Sequence, residues 1–395
     1  MAHRRLAEAL LHSRGAAGEG RPGPGAPGAA EEGRGRGRRP GAEVAPPPPT
    51  PTLRRGRLAL SAPRRAPLSR HDASGIFSLA FAPGGCLLAA GFGNGAVQVA
   101  DAATGAPGAS FLSSSSSSSF PGRRARQAAT AVAFHRAEPA GLLLLLAAGA
   151  DGAVTAYDLL GRRPVASLTE EENEIHALDF CRDGTAFATA GKDRHVRLYD
   201  GHTLRLLQVI EAPDFFMAGD DFTPLSGHSR RIFALRFHPT ELHLFLTGGW
   251  DNSVKVWDKR VPKGARSVIG GPHICGPGID VKGDLVLTGS WVPRNALQLW
   301  DLRTSRLWQN LPFPGSRTQG EFLYSAQFCA EDMVLAGGSG TCGATILHTG
   351  TGQTVGEIPL KPNKPVHVVA AAAAPGGFSV AVAGAGGNLQ LAELH

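Results

Sequence analysis

From Leu225 to Arg260 the chain sets four signals in a fixed order: Gly227-His228, an apolar alternation, Thr247-Gly248-Gly249 followed by Asp251, and Trp257-Asp258. Ile232, Ala234, Leu235 and Phe237 suit a strand covered on both faces, and Leu244 to Thr247 form a second strand. Asp251-Asn252 make a tight turn, after which Val254, Val256 and Trp257 belong to a third strand. One small sheet of this kind cannot bury both its faces, so the unit must recur and stack for the chain to fold.

It does recur, with decay. The segments GFGNGAVQVAD (91–101), GADGAVTAYD (149–158) and GKDRHVRLYD (191–200) repeat the turn and third strand. Each follows its own inner-strand run, at 76–81, 129–134 and 175–180. Asn94, Asp151 and Asp193 take the place of Asp251, while Ala100, Tyr157 and Tyr199 replace Trp257. A fifth unit spans 274–301 and closes on Trp300-Asp301; two weaker ones follow, over 323–348 and 366–394. Seven units result. Their mean period slightly exceeds the usual ~40–45 residues of such arrays because several loops are long.

The order resembles the WD repeat, the four-stranded blade of a β-propeller. The resemblance implies an all-β, seven-bladed WD-repeat β-propeller over 53–395 behind a disordered basic tail, 1–52. Blades are expected near 71–111, 127–167, 170–210, 226–266, 268–311, 320–359 and 363–395. It also implies a buried relay in the fourth blade, from the Trp257 indole to the Thr247 hydroxyl, the His228 imidazole and the Asp251 carboxylate. Such a relay satisfies every polar group it buries. His228 and Asp251 therefore look like an acid–base dyad but are read as structural. Only the fourth unit carries the whole set: Glu171 stands where the third unit's histidine is expected, and the fifth and sixth lack a clear turn aspartate. A WD propeller closes by borrowing the outermost strand of its last blade from the N-terminal side, and segment 57–61 is assigned there.

Composition narrows the partners. No apolar run reaches the roughly 18 residues of a spanning helix, so no membrane partner is expected. Cys86, Cys181, Cys275, Cys329 and Cys342 show no paired spacing, which argues against zinc or disulfides and for a reducing compartment, cytoplasmic or nuclear. Residues 1–70 hold 14 Arg and 5 Glu, a charge of +9, so the formal +7 of the chain leaves −2 for the rest. The basic balance belongs to the tail, which argues against nucleic-acid binding by the folded domain. The tail is rich in Pro, Gly, Ala and Arg and buries too little apolar surface to order. Its RGRGRR run (34–39) and RRGR (54–57) suit phosphate contacts or nuclear import, or simply solubility. The first 14 residues could form an amphipathic targeting helix, but Glu8 and the scarcity of hydroxyl residues weigh against it.

Two insertions fall between blades. Segment 111–127 is a poly-Ser run followed by Arg123, Arg124 and Arg126, tolerated because loop closure costs little per added residue. Segment 211–224 sets Phe215, Phe216, Met217 and Phe222 among four acids. Those rings either fold over the propeller mouth or anchor a partner, in which case the acids favour a basic one.

No nucleophile elbow, phosphate loop or metal-ligand spacing is present, so neither catalysis nor a cofactor or metal is expected. A propeller without chemistry reads as a scaffold holding other proteins. In WD proteins that act as substrate receptors of cullin–RING ubiquitin ligases, a blade ends in W-D-x-R and the arginine faces the ligase adaptor. The fourth and fifth blades both end so, at Arg260 and Arg303. Three expectations follow: a protein-interaction scaffold first, a ligase receptor second, and RNA or ribonucleoprotein assembly through the tail third.

Overall fold

The structure is a computed structural model that describes residues 59–66, 75–112, 127–137, 142–211, 227–261, 264–314, 320–341, 343–360, 364–374 and 376–395. Among these residues there are 28 strands and no helix. The strands form seven antiparallel sheets of four, each running from an inner strand to an outer one in chain order, with the closing blade the one exception. This is a seven-bladed propeller.

Blade four shows why the sequence pattern works. Its strands are Ile232–Phe237, Leu244–Gly249, Ser253–Asp258 and Ser267–Gly270. Every residue of the two middle strands is buried, because neighbouring blades cover both faces. Outer strands lack that cover; Arg163–Thr169 of blade two is exposed almost throughout.

One backbone bond recurs in all seven blades. The amide just after the second strand donates to the carbonyl just before the inner strand, except that in blade five, where both strands are shorter, the pair lies further out. The pairs are Gly93 to Gly75, Ala150 to Ala128, Lys192 to Glu174, Trp250 to Arg231, Trp291 to His273, Ser339 to Phe322 and Ala385 to Pro365. The approach explains the repeated glycines of the sequence. A Cβ at Gly249 would lie 2.2 Å from the Arg231 carbonyl oxygen, and one at Gly191 would lie 2.0 Å from that of Glu174.

Blade five departs from its expected inner strand. The run 274–281 is broken by Gly276-Pro277-Gly278, and the ladder begins only at Ile279–Lys282. Pro277 has no N–H to give, and Gly278 donates back to Gly276 instead.

Blade seven has three strands of its own, Val366–Ala374, Gly377–Gly384 and Leu389–Leu394. The fourth comes from the N-terminal side. Ala59 exchanges both backbone bonds with His395, Leu60 bridges Leu394, and Ser61 donates to Glu393. Arg64–Arg65 then pair with Leu391 and Gln390, and Ala66 donates to Leu389. The paired stretch thus runs on to Ala66, past the expected 57–61, whose first two residues lie outside those described. Pro63 cannot donate, which splits the stretch in two.

Candidate functional site

The four residues singled out in blade four meet. The Trp257 indole donates to the Thr247 hydroxyl at 2.7 Å, and that hydroxyl lies 2.7 Å from His228 Nε2. His228 Nδ1 is 2.8 Å from the Asp251 carboxylate. Since Thr247 accepts from Trp257, its own proton goes to Nε2 and the imidazole gives its Nδ1–H to Asp251. Burial alone would raise the Asp251 pKa, but bonds from His228, Ser253 and the Ser229 amide hold the carboxyl below its usual range. His228 and Thr247 are wholly buried and every ring nitrogen is used, so the pair has no open side for a substrate.

Blade three carries a second relay that sequence spacing misplaces. Glu170, and not Glu171, takes the histidine's position. Its carboxylate accepts bonds from the Thr189 hydroxyl, from Tyr199 OH at 2.9 Å and from Asn173 Nδ2 at 2.6 Å. Arg197 neutralises it at 3.1 Å and also binds Asp193 at 2.6 Å. The connection to the inner strand is one residue longer than in blade four, with Glu172 in the left-handed region at φ 60°. Burial and the Glu170 charge both push the Tyr199 phenol above its usual range. Blade five keeps only the first link, Trp300 indole to Thr288 hydroxyl at 3.0 Å.

The seven inner strands surround a central channel of about 300 Å³. One ring position is polar in four consecutive blades, where Asp179, Arg236, Asp280 and Gln327 stand, and is alanine in the other three, at Ala80, Ala133 and Ala370. These side chains tie each inner strand to the next. Asp179 accepts the Phe237 amide at 2.8 Å, Asp280 that of Phe328 at 2.9 Å, and Gln327 that of Ala371 at 3.0 Å. Arg236 reaches Asp280 at 2.9 Å and Asp179 at 3.9 Å. Burial pushes the Asp179 carboxyl up, against the pull of Arg236.

Above the channel, on the face of the turns that hold Asp251, one stack leads outward from the wall. His176 lies flat on Phe233 at 4.4 Å, Phe233 on Trp250 at 5.0 Å, and the Arg231 guanidinium sits over Trp250 at 5.8 Å. Glu174 holds Lys192 at 3.1 Å and Arg231 at 3.6 Å beside it. Burial lowers the His176 pKa to about 4, so its imidazole is neutral at pH 7. Trp291, half-buried at the same position of blade five, packs on Phe322 at 4.7 Å. Neither tryptophan was among the expected site residues. Their signal is in the sequence: both close the second-strand run, as LTGGW and LTGSW.

A family model described as "WD domain, G-beta repeat" matches residues 64–101, 162–200 and 220–258. Three matched repeats stand within seven observed blades. The chain is a WD-repeat propeller. It is similar to Coronin-7 of Bos taurus, 29% identical over 120 residues, which cover 30% of this chain and 12% of that protein. It is also similar to Polycomb group protein FIE1 of Zea mays, 27% identical over 118 residues (30% of this chain, 23% of that one). GATOR2 complex protein WDR24 of Gallus gallus is 27% identical over 128 residues (32% and 16%). The matched stretch thus spans about an eighth of the coronin relatives' length.

On the opposite, lower face of the WD propeller, Arg260 and Arg303 each find an acid of their own blade. Arg260 grips Asp258 with two bonds, at 2.9 and 2.6 Å, and this pairing holds the Asp258 carboxyl down at about 2. Arg303 pairs with Asp284. Both guanidiniums stay exposed, at 63% and 74%. Phe215, Phe216, Met217 and Phe222 lie outside the described residues, as does the tail. Among the described residues no His, Cys, Asp and Glu cluster could hold a metal.

Proposed function

We propose that this propeller is a scaffold that holds protein partners, with its main docking surface on the upper mouth of blades three to five. WD propellers are in general non-catalytic interaction platforms, and two of the relatives are named as members of a complex or group. The observation that carries the reading is the stack of half-buried Trp250 and Arg231 on buried Phe233, with half-buried Trp291 one blade on. Tryptophan and arginine dominate interface energies because one group brings both apolar area and a directed polar contact.

The test is affinity purification with mass spectrometry on wild type and on a Trp250→Ala, Trp291→Ala variant. A set of partners lost from the variant, with the melt of the domain preserved, supports the reading; an unchanged set overturns it. A second reading, a cullin–RING substrate receptor in the cytoplasm or nucleus, draws support from the exposure of Arg260 and Arg303 on one face. The double change Arg260→Ala, Arg303→Ala should then abolish adaptor co-precipitation. Assembly on RNA through residues 1–52 is separable, since it would be nuclease-sensitive and weaken steeply with salt.

A further inference from the structure

In blades two, three and five the outermost strand starts, at the lower face, with large apolar side chains turned to solvent. Blade two shows Leu160 in the turn, 83% exposed, and Val165 beyond it; blade three shows Leu206 and Leu207. Blade five shows Leu307 and Trp308, the latter 66% exposed, and blade four adds Val261. Contiguous apolar exposure of this kind marks a contact surface.

Arginines stand beside these side chains: Arg162 and Arg163 in blade two, Arg205 in blade three and Arg306 in blade five. Among the described residues no side-chain hydrogen bond or ion pair occupies any of the four. The acids of the same turns face inward. Asp158 accepts the Leu160 amide at 2.9 Å, Asp200 accepts those of His202 and Thr203, and Asp301 those of Arg303 and Thr304. The outward charge of these turns is therefore positive. Blades six, seven and one differ in having no exposed large apolar side chain among the described residues of these turns, whereas exposed acids occur in the first-to-second-strand turns of blades three to six alike, at Asp183, Glu241, Asp284 and Glu331-Asp332.

The turns between third and fourth strands lie on one face in every blade, so the three sets share that face. A motif found in three of four consecutive blades fits an extended flat partner better than a single peptide. We infer that the lower rim of blades two to five docks on a membrane surface rich in anionic phospholipid. The free guanidiniums would pair headgroup phosphates through their planar forks, and Leu207 and Trp308 would enter the interfacial zone. The contact is peripheral, since no described helix is long and apolar enough to cross a membrane. It departs from the sequence expectation of no membrane partner, and the experiment below decides between the two.

The experiment is co-sedimentation of the full chain with phosphatidylcholine vesicles, with and without about 30 mol% phosphatidylserine. Keeping the Arg-rich tail constant separates its pull from that of the rim. Wild type should bind only the anionic vesicles. Each arginine near such a surface contributes about 1 kcal/mol, roughly fivefold, so removing all four as Arg→Ala should weaken partitioning by a few hundredfold. The four Arg→Lys changes should keep most of the binding, and both variants should keep the wild-type melting temperature. Leu207→Ser with Trp308→Ser should remove the part of the binding that survives high salt. Equal binding by wild type and the Arg→Ala variant would assign the contact to the tail and overturn the proposal. Failure of wild type to sediment with anionic vesicles would overturn it too, and leave the rim to an acidic protein.

Discussion

In blade four the space behind the third strand is filled by Trp257, Thr247 and Asp251; at the same register blade seven has Ala392, Val382 and Gly386. Both blades make the same backbone bond from second strand to inner strand, at 3.0 Å in one and 3.2 Å in the other. They also sit in the same array, with middle strands buried throughout in blade four and for most of their length in blade seven. The polar relay is thus not what makes a blade. Backbone bonding and a tight glycine approach set the fold seven times, while side-chain relays reinforce it where the chain can satisfy them. The channel repeats the contrast: blades three to six cross-link through Asp179, Arg236, Asp280 and Gln327, whereas blades seven, one and two pack alanines.

The comparison would break most visibly at the closing strand. Removing residues 1–58 should leave a folded monomer, whereas removing 1–66 should bare the Leu389–Leu394 edge and give aggregates in size-exclusion chromatography. Soluble monomers from both truncations would mean that blade seven needs no borrowed strand. Next in size is His228→Ala, which strands the buried Thr247 hydroxyl and the Asp251 charge. It should cost about 2–4 kcal/mol in a denaturant melt. Glu170→Gln should cost less, about 1–3 kcal/mol, because Arg197 keeps Asp193 as a partner.

A pH titration sharpens the same contrast. The His176 pKa falls from 6.5 free to about 4 in the fold, so the folded state disfavours its charged form. That stability is fully present above 6.5 and is lost as pH falls towards 4. His176→Phe should lessen the fall in melting temperature across this window, and the fall that remains belongs to His135, His273 and His367, whose pKa values burial also lowers. Asp251 has a folded pKa below its unfolded one, so its contribution is present above 3.8 and lost as pH falls further. His228→Ala should remove that lower step alone. The smallest effect belongs to Arg260→Ala with Arg303→Ala, whose guanidiniums are exposed to water, so that the melting temperature should change little.

Fold class was legible because periodicity of apolar runs and turn residues survives even where signatures decay. Blade four's relay was legible because all four residue types are present. Glu170 was displaced by one position because spacing cannot reveal that Glu172 takes a left-handed conformation and lengthens the connection. Pro63 and Pro277 both stand in plain view, yet where a ladder resumes after them depends on the partner strand's register. The upper tryptophans were readable in principle, as a shared ending of two strand runs. Stacking of His176 on Phe233 was not, since it joins two blades.

Closure by the N-terminal strand carries a cost in time. Arg64 and Glu393, which meet in the finished sheet, are 329 positions apart in the chain. At about 5–20 residues per second, the ribosome needs on the order of 15–65 s to supply the second after the first. Throughout that interval residues 59–66 have no sheet to join, and once blade seven forms its edge is open until they arrive. The nascent chain is therefore at its most vulnerable as blade seven emerges, and a chaperone that shields extended segments would act at that moment.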